Sequence, residues 1–321
     1  MAPGAHLIDF DQIGIGLDLK KLVVALLLAG VLSISANVER SFAGADNEPA
    51  PAPPSPQAAE SYVLPITPPL HQGDTGLCWM FATLSMLETN YLVRHPGSQI
   101  SLSRSAMQVE AVEDRLERLV HGESTSLSEG GLAVEALALI RKDGMVAQPD
   151  FHDIVDSNPI AESIQKDLAR IPDRLAKEKA LSEEVHVKLG VVPEVTHLDG
   201  QVVSADQMAR AVTDGYEWTE FDLSPDGSEA WGPSRDPDAR PETRVKYVKL
   251  EVLIDLIHRS LARGQAVVWA SPDHALLIYG GDYDKDGRPL SYLIKDTFEP
   301  FTYRESADEI HKILNDVTVA R

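Results

Sequence analysis

The run CWMFATLSMLETNYLV, residues 78–93, carries almost no charge and follows the glycine-punctuated turn HQGDTG. A segment of that length and polarity reads as a helix buried on most of its faces, so the rest of the chain must be built around it. Cys78 stands in its first turn. There, unpaired backbone N–H groups and the positive end of the helix dipole favour a thiolate. Gln72 lies across the turn, where its side-chain amide can fold back beside the sulfur. An amide donor together with the Cys78 N–H has the makings of an oxyanion hole.

Cys78 is the only cysteine in 321 residues, and the chain opens like that of an exported protein. Lys20 and Lys21 precede LVVALLLAGVLSIS, an apolar run of signal-peptide length that is short for a bilayer span. AGA at Ala43–Ala45 offers a cleavage site, with Ala36 as a nearer one. The long stretch ahead of the lysines, with Asp9, Asp11 and Asp18, keeps an uncleaved membrane anchor as the alternative for residues 1–45. Residues 46–60 are rich in Pro and Ala and are expected to be an extended linker, with folded sequence from near Tyr62. A formal charge of −21 argues against nucleic acid and anionic membrane surfaces as partners. An exported lone cysteine is a buried filler, an intermolecular link or a reactive thiol. The turn, the helix and Gln72 point to the third.

A nucleophilic thiol needs a base, and the base an orienting group. Among ten histidines, His274 opens the apolar strand HALLIYGG; DYDKDGRP breaks it, and SYLIKDTF is a second strand. A hairpin centred on Lys285 sets His274 opposite Asp296, close enough to hold the imidazole. Asp282, Asp284, Asp286 and Gly287 have the spacing of a calcium loop. However, Leu293 replaces the closing Glu and the flanks are strands, so a solvated turn without metal is expected.

QGDTGLCWMFA resembles the active-site segment of papain-type cysteine peptidases. DHALLIYGG is similar to that family's histidine segment, and YLIKDTF to the strand that ends in its third triad member. Asp296 stands where Asn is usual and Phe298 where Trp is usual. The resemblance implies Cys78 as nucleophile, His274 as base, Asp296 as orienter and Gln72 as oxyanion donor. Trp79, Phe298 and the Gly130–Gly131 pair would line the substrate cleft. Leu77 and the absence of partner cysteines are more similar to the bleomycin-hydrolase branch.

The expected architecture is α+β, a two-lobe papain-like fold. A helical lobe would span residues 61–150, a helical and loop insertion 151–250, and a β-rich lobe 251–321. Ser103 and Ser128 are the expected N-caps of two helices, and Gly144 ends the second. Charged helix and then a long polar loop containing Trp231 are expected in the insertion, to which no chemistry is assigned. The function implied is hydrolysis of peptide or protein substrates through an acyl-enzyme thioester, with no cofactor. The alternatives are another Cys-His-Asp amide-acting enzyme, transglutaminase-like or cutting cell-wall peptides, or a non-catalytic peptide-binding protein.

Overall fold

The computed structural model describes residues 54–320 apart from Pro56, Ser126 and Asp238. The signal or anchor segment, 1–45, and most of the Pro/Ala-rich stretch lie outside the described residues. The helical lobe begins with α1 (Cys78–Arg94), α2 (Arg104–His121) and α3 (Ala133–Asp143), followed by α4 (Asn158–Ala169), α5 (Arg174–Leu189) and α6 (Ala205–Thr213). α1 is buried along most of its length, as its missing charge requires. Ser103 caps α2, its hydroxyl accepting from the Ala106 N–H at 3.1 Å. The capping expected of Ser128 is not observed: its hydroxyl accepts from the Gly130 N–H, and α3 starts after Leu132. The delay has a packing cause. Gly131 lies against the Trp79 indole, and a Cβ there would come within 2.9 Å of the ring. Gly144 ends α3 with a left-handed φ of 90°. The charged run after residue 158 is two helices rather than one, because Pro172 breaks it and Asp173 caps the second.

The other lobe is a nine-stranded mixed sheet. Strand β1 (Glu60–Val63) precedes the helices, and a separate hairpin, β2 (Val195–Leu198) and β3 (Gln201–Ser204), lies among them. The sheet then takes β4 (Trp218–Leu223), β5 (Ala230–Pro233) and β6 (Arg244–Val248) from the middle of the chain. The stretch around Trp231, expected as loop, is therefore an edge strand paired with β6. Helix α7 (Leu250–Ala262) leads to β7 (Val267–Ser271), β8 (His274–Tyr283), β9 (Pro289–Lys295) and β10 (Thr302–Ser306), and α8 (Ala307–Ile313) to β11 (Asp316–Ala320). The strand order is β10-β9-β8-β7-β11-β4-β6-β5, with β1 added against β8. One face of the sheet packs on α1 through Val268, Ala275, Leu277 and Tyr279. The opposite face packs on α7 and α8 through Trp269, Ile278, Ile294 and Val317.

DYDKDG is a hairpin turn. Asp282 accepts from Ser61 Oγ at 2.7 Å, the Ser55 N–H at 2.9 Å and Ser291 Oγ at 3.0 Å, and it pairs with Arg304. These contacts occupy its carboxylate and tie the chain back to Ser55, inside the Pro/Ala-rich stretch.

A buried ionic network joins the lobes. Glu88 on α1 is fully buried and ion-paired with Arg104 at the start of α2. It also accepts from the Leu102 N–H at 2.7 Å and from Thr67 Oγ1 at 2.5 Å, and Lys295 donates to the same Thr67 hydroxyl at 2.9 Å. Burial opposes the Glu88 charge, but Arg104 and Lys295 outweigh it and hold the carboxyl below its usual range. Glu88→Gln removes the buried charge that pairs with Arg104 and should cost roughly 3–5 kcal/mol. Calorimetry at neutral pH should then show a Tm lower by about 10 °C. An unchanged Tm would refute the network's structural role.

A second charged seam runs between β4 and β11. Thr318 faces Glu220 and Asp316 faces Asp222 across the pair, and Thr318 Oγ1 donates to Glu220 at 2.5 Å. Glu220 and Asp316, both buried, hydrogen-bond each other, which requires a proton between them. Asp236 and Arg235 are the other charges facing the group. Burial, with neighbouring carboxylates, pushes Asp316 to about 6, Asp222 to about 7 and Glu220 well above its ordinary value. Such carboxyls bind protons more tightly in the folded chain. Their contribution is fullest below the unfolded value of about 4 and declines as pH rises to about 7. Glu220→Gln should raise Tm at pH 8 by roughly 3–5 °C and flatten the decline between pH 5 and 8. A pH dependence identical to wild type would rule the seam out as its source.

Candidate active site

Cys78 begins α1, half-buried, behind Leu77, which offers no side-chain cap. The first N–H groups of the helix therefore stay available at the sulfur. His274 opens β8, and α1 packs directly on β7 and β8. That packing brings the imidazole to hydrogen-bond Cys78. Nε2 of the ring lies 2.9 Å from Asp296 Oδ1, which leaves Nδ1 as the ring atom available to the thiol.

The expected hairpin register is corrected. Leu277 faces Lys295 and Tyr283 faces Pro289, so the pairing is not centred on Lys285 and His274 is not directly opposite Asp296. Tyr279 bulges out between Ile278 and Gly280. A Cβ on Gly280 would sit 2.4 Å from the Tyr62 carbonyl of β1, so the irregularity falls where β1 presses closest. The two side chains still meet, diagonally, just beyond the last paired residues. Asp296 Oδ1 also accepts from the Thr297 N–H at 2.6 Å and the Phe298 N–H at 3.1 Å.

Burial of the imidazole works against its charge. Hydrogen bonds to Asp296 and Cys78 outweigh that effect and raise His274 to about 9. Burial likewise opposes the Asp296 charge, but His274 and the two backbone donors hold the carboxyl below its ordinary value. The ring is therefore an imidazolium at neutral pH, facing the thiol on one side and a carboxylate on the other.

Gln72 is buried, and both ends of its amide are held. Nε2 donates to the Thr75 carbonyl and Oε1 accepts from Thr297 Oγ1, each at 2.5 Å. Nε2 carries a second hydrogen besides the one given to Thr75. Thr297 and Tyr303 are neighbours of the candidate site that the sequence did not disclose. Tyr303 faces Ile294 on the adjacent strand. Burial and the Asp296 carboxylate, to which it hydrogen-bonds, push its hydroxyl up to about 12. The only sequence signals for them are adjacency to Asp296 and the alternation of β10.

Of the expected cleft residues, Trp79 is buried, its indole N–H donating to the Glu129 carbonyl at 2.8 Å. Gly130 and Gly131 are half-buried in the loop above it. Phe298 is tilted over His274, with ring centroids 5.6 Å apart.

No family model and no curated protein matches this sequence. Solved structures do match. PepW from Lactobacillus rhamnosis HN001 aligns with a TM-score of 0.61 at 14% identity, over 83% of this chain and 82% of its own. A structure from work on the mite allergens Blo t 1 and Der p 1 aligns with a TM-score of 0.43 at 15% identity, over 86% and 75%. The fold is papain-like. In this papain-like frame Cys78 and His274 come from different lobes and meet where helix and sheet pack.

Replacing Asp296 by Asn removes the charge that stabilises the imidazolium. An NMR titration of the His274 ring should show its midpoint, near 9 in the native chain, falling by about 1–2 units in that variant. A midpoint that stays in place would mean the carboxylate does not set the charge on the ring.

Proposed function

We propose that this chain is a cysteine peptidase, cutting peptide bonds through an acyl-enzyme thioester. The observation that supports it most directly is the contact of one imidazole with both Cys78 and Asp296, with the Gln72 amide clamped alongside. A thiol poised at the first turn of a buried helix, paired with an imidazolium, is an activated nucleophile.

The Cys78 thiolate attacks the substrate carbonyl carbon. The negative charge that develops on the carbonyl oxygen is met by the free Gln72 N–H and the backbone N–H of Cys78, donors fixed before the substrate arrives. His274 gives its proton to the departing amine as the C–N bond breaks, leaving a thioester on Cys78. Water then attacks that thioester, His274 takes its proton as general base, and the C–S bond breaks to release the acid. Asp296 keeps the ring oriented and favours its charged form, and Phe298 shields the pair from solvent. Because His274 must hold its proton to act as an acid, turnover should fall as pH rises through about 9.

The PepW-like fold, Leu77 before the nucleophile and the single cysteine favour a place in the bleomycin-hydrolase branch. The apolar N-terminal run favours action outside the cytoplasm, as a secreted enzyme or one held by its anchor. Peptides or proteins are the substrates this reading requires. Cys78→Ala should abolish hydrolysis of fluorogenic peptides without changing the circular dichroism. Gln72→Ala should lower kcat about 10²–10³-fold. Near-native hydrolysis by Cys78→Ala would exclude the mechanism and leave a peptide-binding protein.

A further inference from the structure

One peptide unit in the turn before Cys78 is held at both ends. Its carbonyl, on Thr75, accepts from Gln72 Nε2 at 2.5 Å. Its N–H, on Gly76, donates to Glu129 Oε2, also at 2.5 Å. Glycine permits that approach, since a Cβ on residue 76 would lie 2.8 Å from the Glu129 Cβ. The backbone of Glu129 is pinned separately. Its carbonyl accepts from the Trp79 indole at 2.8 Å and from Arg115 Nη2 at 2.6 Å. The loop ahead of α3 is thus fastened to α1, one residue after Cys78, and to α2. From there it delivers a half-buried carboxylate to the turn. The other carboxylate oxygen, Oε1, is shielded from solvent and has no hydrogen-bond partner among the described residues.

These contacts admit one orientation of the peptide unit. Reversed, the Thr75 oxygen would face the Glu129 carboxylate, and the Gly76 N–H would face the Gln72 amide nitrogen. Acceptor would meet acceptor and donor would meet donor, and both hydrogen bonds would be lost. A carboxylate also makes the stronger, charge-assisted bond to the N–H. It polarises the amide, so that the carbonyl at the far end accepts better. The charge on Glu129 therefore reinforces the bond that Gln72 makes. Thr297 holds the oxygen end of the Gln72 amide, and this peptide unit holds the nitrogen end.

We propose that Glu129 is a positioning residue for the oxyanion donor: acting through the Thr75–Gly76 peptide, it keeps the Gln72 side-chain amide in its donating orientation. This rests on the peptidase reading above, in which Gln72 meets the charge on the substrate oxygen. Glu129 itself touches neither the thiol nor the imidazole in this arrangement. Its effect is confined to steps in which that oxygen carries negative charge, and it is felt only while Gln72 is there to be positioned.

A double-mutant cycle on the hydrolysis of a fluorogenic peptide tests this. Glu129→Ala removes the acceptor, and Glu129→Met removes it while filling much the same space. Because Trp79 and Arg115 hold the Glu129 carbonyl, the loop backbone stays pinned in both. Each should lower kcat about tenfold, what one hydrogen bond contributes, with KM within about twofold of native. Glu129→Gln keeps an acceptor oxygen and should lose only about threefold, a neutral acceptor being weaker than a charged one. In a Gln72→Ala background the same Glu129 substitutions should cost less than about twofold more, since no donor is left to position. Alkylation of Cys78 by iodoacetamide, which develops no oxyanion, should not slow in any of them. Native kcat in both Glu129→Ala and Glu129→Met would overturn the proposal while leaving the peptidase standing. So would the full loss repeated without Gln72, or a parallel loss of alkylation. Absence of any Cys78-dependent turnover in the native chain would overturn the peptidase reading and this proposal together.

Discussion

The carboxylate of Glu88 is the constraint on which the arrangement depends. It lies on the same helix as Cys78, with no exposure to solvent. It is reached by Arg104 directly and by Lys295 through the Thr67 hydroxyl. Lys295 immediately precedes Asp296, and Thr67 lies on the segment that leads to Gln72. One buried charge therefore fixes the helix that begins at Cys78, the strand that leads to Asp296 and the segment that carries Gln72. A charge this deep is tolerated only while all its partners are in place. Loosening any of the three segments strands an ion in the core.

Electrostatics of opposite kinds serve the two halves of the sheet. Where β8 begins and β9 ends, Asp296 and Cys78 hold a proton on the His274 imidazole, raising it to about 9. Between β4 and β11, carboxylates crowd together with too little positive charge and hold a proton among themselves. The first arrangement keeps an imidazolium available across neutral pH. The second makes the same sheet most stable where acids are protonated. Stability and reactivity thus respond to pH from separate places, and a change in one seam need not disturb the other.

The candidate centre was legible because it is local. A glycine turn, a cysteine at a helix start and a histidine at a strand start are each written in a few neighbouring residues, and the fold brings them together as expected. What was not legible depends on distant parts of the chain. The β8–β9 pairing is displaced from the turn onward, where Tyr283 already faces Pro289, and Tyr279 bulges beside Gly280, where β1 arrives from far upstream. Helix α3 starts late because Gly131 must clear Trp79. The edge strand around Trp231 follows polar sequence because its outer side has no neighbour to bury it. Nothing in the segments of Glu220 and Asp316 announces that either will meet the other across the sheet.

The most direct measurement is the rate at which iodoacetamide alkylates the native protein from pH 4 to 9. With one cysteine in the chain, the signal has a single source. Fast alkylation persisting well below pH 7, and lost when His274 is replaced by Ala, is the predicted result. A slow reaction rising only near the value of an unperturbed thiol, about 8.5, or none before denaturation, would contradict an activated Cys78.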